Sequence, residues 1–397
     1  MIRRLRCVRG GPRLVATLLM ALAMPACGTS RSQFARAVLW QDADVDDIHR
    51  FPARAVPAGG AARPWIDAGA ASYDSLRAPV RVGTDAASVP LDSFMEQHAT
   101  TAFLVAVGDS LIHERYFNGF HRDSVHTVFS VSKSILSAAL GAAVDRGLIG
   151  SLDDPVTRYV PELLMRDPAF ASITLRHLVT MSSGLAWNPG KTPWSDEADT
   201  YYSTDLRRTG MRARVAEPPG VRFVYNNYNP LLIGLVVERA VGTTVSAFLS
   251  ETVWQAMGAE ADASWSLDRA HAGFEKMESG FNARARDLAR FGALYLSGGR
   301  VDGREVLSRR WVEASVRVDS TGDPNVGYQH FWWVAAQPAG GPHFWAEGRF
   351  GQFIYVVPDL ELVIVRLGRD DGDVNWQSFL AAIARRVAAD RQAPAVR

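Results

Sequence analysis

Lysine is almost absent from this chain of 397 residues. Among 43 lysines and arginines only Lys133, Lys191 and Lys276 are lysine. Both side chains suit a solvated surface, but only lysine gives up its proton readily inside a protein. A chain with this bias is expected to keep lysine where proton loss is required, and Lys133 is such a candidate because of the residues around it.

Cysteine is scarce as well, with Cys7 and Cys27 only. Two cysteines exclude a disulfide framework, and no Cys/His spacing typical of a zinc site is present. His113 and Glu114 lack a second histidine one turn later, which excludes an HExxH metallopeptidase. The absence of G-x-S-x-G argues against an α/β-hydrolase. We therefore expect neither a metal nor another cofactor.

No apolar run is long enough to span a bilayer, and the longest lies near the N-terminus. The first 13 positions contain five arginines and no acid, small and apolar residues continue to Ala26, and Cys27 follows, as in a secretory signal. We expect residues 1–26 to be a signal peptide and the mature protein to be periplasmic or anchored by a lipid on Cys27. The three residues before Cys27 depart from the usual lipobox, so a soluble exported form stays open.

The charge balance excludes a typical nucleic-acid-binding protein. Removal of residues 1–26, which contain five arginines and no acid, leaves 38 basic and 42 acidic residues. A chain without basic excess lacks the means to neutralise many phosphates. We expect a small-molecule substrate and no nucleic-acid partner, and the oligomeric state stays open.

The apolar pattern divides the chain into an extension and one composite domain. Residues 27–94 are rich in alanine, proline and aspartate with little periodicity, which indicates an extension or tether. Within residues 95–397, alternating runs at 101–107 and 111–117 predict an antiparallel hairpin. The pattern is helical at about 165–275. The mixture predicts an α+β fold.

Ser130 precedes Lys133 by three residues at the start of a helical run. Positions 135, 136, 139 and 140 form one apolar stripe, so both side chains are expected one turn apart near the helix N-terminus. The helix dipole disfavours an ammonium there, and free backbone N–H groups face a developing oxyanion. The pattern predicts a nucleophilic Ser130 that Lys133 deprotonates. A serine cap followed by an ordinary surface lysine is the alternative.

Tyr225 and Asn227 lie on the turn before a second apolar helical run at 231–240. A tyrosine in this position can act as a base. Tyr116 and Asn118 repeat the same Y-x-N spacing at the end of a predicted strand, and we interpret that pair as structural.

The order S-x-x-K, then Y-x-N, then cation-x-Gly resembles the serine β-lactamase and penicillin-binding protein superfamily. Within it the chain is most similar to the branch of class C β-lactamases, esterases and 6-aminohexanoate-dimer hydrolases. The resemblance covers about residues 95–390. It implies a β-lactamase/transpeptidase-like fold, in which an antiparallel sheet flanked by helices meets a helical subdomain at the active-site cleft. Connecting phrases that fit this branch lie at 151–156, 159–163, 173–185, 285–292, 327–329 and 332–333.

The third motif departs from the family's Lys-Thr-Gly or His-x-Gly, since Arg-Phe-Gly stands at positions 349–351. Arginine differs from lysine in geometry and does not relay a proton, so recognition of a β-lactam carboxylate is left open. The resemblance implies these substrate contacts: Asn227 and Arg349 as positioning groups, room for substrate at Gly351, and the N–H groups of Ser130 and Gln352 as oxyanion donors.

Aromatic residues alternate with acids in the segment 187–210. One interpretation is a wall of the substrate cleft, with Tyr201 or Tyr202 donating a hydrogen bond to the acyl group. A small structural core is the alternative. We interpret His177, Asp287 and Arg290 as structural.

Together these patterns predict an extracytoplasmic serine hydrolase that cleaves amides or esters through an acyl-enzyme. The resemblance favours 6-aminohexanoate-dimer hydrolases and esterases first, and a β-lactamase or D-Ala-D-Ala carboxypeptidase second. A penicillin-recognising sensor or scaffold without turnover is a third hypothesis. The presence of Ser130, Lys133 and Tyr225 together argues against it.

Overall fold

The computed structural model describes residues 28–40, 42–67, 76, 80–82, 87–190, 192–318, 324–335 and 341–392. The predicted signal peptide, Cys27 and Lys191 lie outside the described residues.

Runs of strands and runs of helices follow one another along the described chain. The strands are β1 (Ala53–Val56), β2 (Ile66–Asp67), β3 (Val80–Val82), β4 (Ala87–Val89), β5 (Thr100–Val107), β6 (Ser110–Tyr116), β7 (Val125–Thr127), β8 (Ala263–Ser266), β9 (Phe281–Arg284), β10 (Arg300–Val301), β11 (Arg304–Glu305), β12 (Tyr328–Gln329), β13 (Trp332–Ala335), β14 (His343–Gly348), β15 (Gln352–Val357) and β16 (Leu362–Gly368). The α-helices are α1 (Gly28–Trp40), α2 (Leu91–Gln97), α3 (Val131–Asp145), α4 (Glu162–Arg166), α5 (Leu175–Val179), α6 (Asp196–Tyr202), α7 (Leu206–Met211), α8 (Tyr228–Val241), α9 (Val245–Leu249), α10 (Ala285–Leu296), α11 (Arg309–Val316) and α12 (Trp376–Gln392).

An eight-stranded sheet in the order β12-β13-β14-β15-β16-β5-β6-β2 forms the centre of the molecule. All its neighbours pair antiparallel except β2, which runs parallel to β6. The hairpin predicted at 101–107 and 111–117 is confirmed as β5 and β6. A second sheet, β1-β8-β9-β7, lies beside the helical half.

The central strands are buried on both faces because helices cover each side. In β5, Phe103 and Val105 pack with Leu380 of α12, whereas Leu104 faces the core that contains Leu288 of α10. This alternation follows from the two-residue period of a strand. Helix α10 comes close to the sheet at Gly292, where a Cβ atom would lie only 2.8 Å from a methyl of Val363.

The helical half is built around α3 and α8, which carry apolar residues on nearly every side and are almost fully buried. Within the described chain no single helix is long and apolar enough to cross a membrane. Helices as apolar as α3 and α8 are expected in the interior of a large domain. The α+β fold with a helical subdomain, predicted from the sequence, is confirmed.

The segment 27–94 wraps the domain where the structure describes it. It contributes β1 to the four-stranded sheet and β2 to the edge of the eight-stranded sheet. Trp65 is buried, and its indole N–H donates to the Arg286 carbonyl at 3.1 Å.

Candidate active site

Ser130 is the N-cap residue of α3 and follows a strained turn. The preceding Phe129 has φ +46°, a left-handed conformation that bulky residues rarely adopt. Its ring is buried and packs edge-on against Phe350 at 5.3 Å. This packing holds the turn, and the turn presents the Ser130 hydroxyl to a cleft.

Lys133 is buried beside Ser130, with 1% of the residue exposed. Its Nζ lies 2.9 Å from Ser130 Oγ and donates to the Glu278 carbonyl at 2.8 Å. When Lys133 is a neutral amine, the Ser130 hydroxyl donates a hydrogen bond to Lys133 Nζ instead. Lys133 is therefore not an ordinary surface lysine, and its geometry suits proton transfer.

Tyr225 covers the Lys133 amine, which lies 5.0 Å from the centre of its ring. Trp333 stacks on Tyr225 at 6.0 Å, and Tyr328 meets it edge-on at 5.8 Å. Burial, followed by the charge and hydrogen bond of Tyr225, raises the pKa of Tyr328 well above its usual range. Tyr328 therefore stays protonated beside Tyr225. The sequence singled out Tyr328 only as part of a connecting phrase.

The end of β14 passes directly over the nucleophile. A Cβ atom on Gly348 would lie 2.3 Å from the Val128 carbonyl oxygen and 3.2 Å from the Ser130 nitrogen, so only glycine permits this approach. Strand β13 pairs with β14 only as far as Trp345, and among the described strands none pairs with this edge of the residues that follow. The segment around Gly348 is thus available to place a backbone N–H beside that of Ser130.

These groups line a cleft of about 550 Å³ between the sheet and the helical half. The start of α12 closes it on one side, and aromatic rings form much of its wall. The lining residues are Ser130, Tyr225, Trp333, Glu347, Gly348, Arg349, Phe350, Gly351, Phe353, Asp371, Val374, Asn375, Trp376 and Gln377.

The structure does not place Gln352 as an oxyanion donor. It is buried as the first residue of β15, opposite Gly348, and is absent from the described cleft lining. Its side-chain amide donates to the Arg349 carbonyl at 3.1 Å and to the Gly368 carbonyl at 2.6 Å. The Gln352 side chain therefore braces the turn, and the end of β14 at Gly348 lies next to the Ser130 backbone nitrogen instead.

Gly351 lines the cleft, but its backbone conformation and the nearby Arg366 side chain are what require glycine at this position. Its φ is +70°, and a Cβ atom would lie 2.2 Å from a guanidinium nitrogen of Arg366. Arg366 is fully buried and donates to the carbonyls of Phe350 and Gly351 at 2.6 and 2.9 Å. Backbone geometry and Arg366, rather than room for substrate, require glycine here.

Arg349 lies at the cleft, exposed, and is already engaged by acids. Its guanidinium is 3.5 Å from Asp42 and 4.0 Å from Glu197, and it extends over the Phe350 ring at 5.1 Å. A substrate carboxylate at Arg349 would compete with both of these acids.

Tyr201, Tyr202 and Asn227 do not line the cleft in the described chain. The Tyr201 hydroxyl donates to Asp47 at 2.5 Å, and both tyrosines belong to a small buried cluster with Phe51 and Phe129. The two tyrosines therefore belong to a small structural core and not to a wall of the cleft, and the expected hydrogen bond to the acyl group is not supported. Asn227 donates to the Thr200 hydroxyl at 3.3 Å, which joins the Tyr225 loop to α6.

Sequence reasoning missed Lys276 and Glu278, although the scarcity of lysine was a signal that could have found the first. Both are buried behind Lys133, and their charged groups lie 3.2 Å apart. It also did not assign Trp333 and Trp376 to the cleft, because pattern alone does not distinguish a core aromatic residue from a cleft wall.

The model of the family described as Beta-lactamase matches residues 91–384. The chain belongs to the β-lactamase family. It is 30% identical over 334 residues to the 6-aminohexanoate-dimer hydrolase of Paenarthrobacter ureafaciens, covering 77% of this chain and 82% of that protein. It is 32% identical over 149 residues to the esterase EstB of Burkholderia gladioli, covering 34% of this chain and 37% of the esterase.

A solved structure from Bacillus anthracis, thought to be a 6-aminohexanoate-dimer hydrolase, superposes with a TM-score of 0.74 and 22% identity, covering 92% of this chain and 99% of that one. This likeness shows the fold. The family match and the curated relatives show that the protein is a serine hydrolase, as predicted.

Proposed function

We propose that this β-lactamase-family protein hydrolyses linear amides or short esters through an acyl-enzyme on Ser130. The observation that carries the proposal is the 2.9 Å contact between Lys133 Nζ and Ser130 Oγ beneath the Tyr225 ring. A serine hydroxyl needs an adjacent base to attack a carbonyl at neutral pH, and the buried amine supplies one.

In the acylation step Ser130 Oγ attacks the substrate carbonyl while its proton passes to Lys133. The negative charge on the carbonyl oxygen is stabilised by the Ser130 N–H and an N–H at the end of β14. The proton then passes through Tyr225 to the leaving amine or alkoxide. In deacylation a water attacks the ester, and its proton returns by the same groups to the serine.

The cleft favours a linear, largely apolar acyl chain. Phe350, Phe353 and Trp376 line it together with Trp333, whereas the one cation of the third motif is engaged by Asp42 and Glu197. Amides of the 6-aminohexanoate type rank first, because a curated relative that matches 77% of this chain is a 6-aminohexanoate-dimer hydrolase. A β-lactamase or D-alanyl carboxypeptidase remains the second candidate.

A hydrolysis panel tests the proposal. Purified protein is assayed on p-nitrophenyl esters, linear amide dimers, nitrocefin and D-alanyl peptides, with labelling by a fluorophosphonate probe. Ser130→Ala is expected to lose both hydrolysis and labelling. Ser137→Ala is the matched control, because Ser137 is a buried serine on the same helix that does not line the cleft. Full activity of Ser130→Ala would disprove the mechanism.

We also propose that the protein is exported, and that Cys27 carries a lipid. This rests on the basic, apolar and cysteine order of residues 1–27. Palmitate labelling in the native host is expected to disappear in Cys27→Ser. A mature N-terminus at Met1 in that host would contradict export, and export without labelling would leave the soluble form.

A further inference from the structure

Two of the three lysines of this chain meet at one residue, Glu278. Lys133 donates to the Glu278 backbone carbonyl at 2.8 Å. Lys276 forms an ion pair with the Glu278 carboxylate at 3.2 Å. The same carboxylate oxygen accepts from Ser279 at 2.8 Å, whereas the buried Glu278 Oε2 has no hydrogen-bond partner among the described residues.

This group is inaccessible to solvent. Lys276 is 2% exposed and Glu278 is fully buried. The Lys276 amine also donates to the Tyr201 carbonyl at 2.5 Å and faces the rings of Phe51 and Tyr201 at 4.5 and 4.1 Å. An ion pair in such surroundings is screened very little, so its charges act on their neighbours.

The other ionisable groups around the pair come from four parts of the chain. Arg36 and Asp47 act on Lys276 from the N-terminal segment, and Tyr201 and Tyr202 belong to α6. Tyr225, backed by Tyr328, faces Lys133 from the opposite side. Burial lowers the pKa of Lys276, and the Glu278 charge opposes this effect.

A lysine that serves as base has to be neutral when substrate arrives. Lys133 contacts the backbone carbonyl of Glu278, and an unpaired buried carboxylate on that residue would favour the ammonium form, which cannot accept the Ser130 proton. A second cation on that carboxylate removes this effect. The pair thus gives a physical reason for a second buried cation near the nucleophile.

We propose that Glu278 and Lys276 are positioning residues for Lys133: the Glu278 carbonyl fixes the amine beside Ser130, and Lys276 neutralises the Glu278 carboxylate so that Lys133 is free to act as base. This inference rests on the proposed function of Ser130 and Lys133.

The test is the pH profile of kcat/KM for a neutral p-nitrophenyl ester in the full-length protein. Lys276→Met leaves the carboxylate unpaired, so the acid limb is expected to move to higher pH. Glu278→Gln leaves the cation unpaired, so the limb moves to lower pH. Each shift is expected to be on the order of one pH unit, as for a single buried charge near a titrating group. Combining Lys276→Met with Glu278→Gln removes both charges of the ion pair. The acid limb of the pH profile is then expected to return to the wild-type position.

Glu275→Gln is the matched control. Glu275 is also fully buried and ion-paired, at 2.6 Å from Arg54, but the hydrogen bonds of Lys133 in the described part of the chain go to Ser130 and Glu278 and not to Glu275. Its replacement should cost comparable stability without moving the acid limb.

The outcomes distinguish failure of this inference from failure of the proposed function. Shifts of the same sign in both single variants, or a double variant no closer to wild type than either single variant, would overturn the inference. If Lys276→Met does not fold, as judged by circular dichroism, Glu278→Gln and the double variant still decide it. Ester hydrolysis that persists in Ser130→Ala would instead overturn the proposed function.

Discussion

At the scale of the residue, the position of the Ser130 hydroxyl depends more on the residues packed around it than on helix α3. Ser130 stands at the N-cap position of α3 without a capping hydrogen bond from its side chain, and the strained Phe129 before it and the close approach of Gly348 define where its hydroxyl lies. The two strained or crowded positions persist because surrounding packing enforces them. Such a turn is typical of functional sites, since rigid placement of the reacting groups is part of catalysis.

Lys133→Arg tests the base at this scale. The variant keeps the positive charge but cannot accept a proton, so turnover is expected to fall by about 10²-fold or more, the usual contribution of a general base. Steady-state kinetics on the best ester of the panel measure the effect, with circular dichroism to confirm folding. Near-normal turnover in a folded Lys133→Arg protein would refute the role assigned to this lysine.

At the scale of the element, the turn from β14 to β15 controls the cleft. Gln352 and Arg366 bond the carbonyls of residues 349–351 from behind, and Phe350 packs on the ring of Phe129 in front. The N-terminal segment reaches the same turn through Asp42. The turn is therefore held in one shape, with its cation directed at protein acids.

The charge and shape of this turn predict the substrate preference. Esters or linear amides are expected to exceed nitrocefin in kcat/KM by at least about 10²-fold, equivalent to about 2.7 kcal/mol in transition-state binding. The physical reasons are the occupied Arg349 and the ring of Phe350, which narrows the cleft and offers no hydrogen-bond donor. Combining Arg349→Lys with Phe350→Thr should reduce the difference in kcat/KM between these substrates and nitrocefin. Nitrocefin turnover equal to that of the best ester in the unmodified protein would favour the β-lactamase alternative.

At the scale of the whole molecule, buried ionisable groups couple stability to pH. Burial, with a smaller contribution from the Arg369 charge, lowers the pKa of His126 to about 3. His126 is buried, and its Nδ1 lies 3.3 Å from the Thr101 hydroxyl. The unfolded chain, with a histidine pKa of about 6.5, binds the proton more tightly, so stability is lost as pH falls from about 6.5 towards 3.

His126→Gln measures this coupling. Between about pH 7 and pH 5 the unfolding free energy of the wild type should fall by about 2 kcal/mol more than that of the variant. Burial raises the pKa of Asp287 to about 6, which acts in the opposite direction but equally in both proteins, so it cancels in the comparison. Chemical denaturation at the two pH values provides the measurement, and parallel losses in both proteins would contradict the assignment.

The sequence by itself determined the fold class, the family and the three residues expected to carry the chemistry. Period-two and helical patterns are local, so the β5–β6 hairpin and the start of α3 were readable from neighbouring residues. The S-x-x-K spacing likewise brings two side chains together within one turn. Tyr225 was found by its place in the motif order.

Only the tertiary structure decided which more distant groups reach those residues. The sequence predicted substrate contacts for Gln352 and Tyr201. In the folded protein, strand pairing with Gly348 buries Gln352, and the Tyr201 hydroxyl donates to Asp47. Glu278 meets Lys133 across 145 positions of sequence. Such contacts depend on how separate elements pack, and no local pattern in the chain specifies that packing.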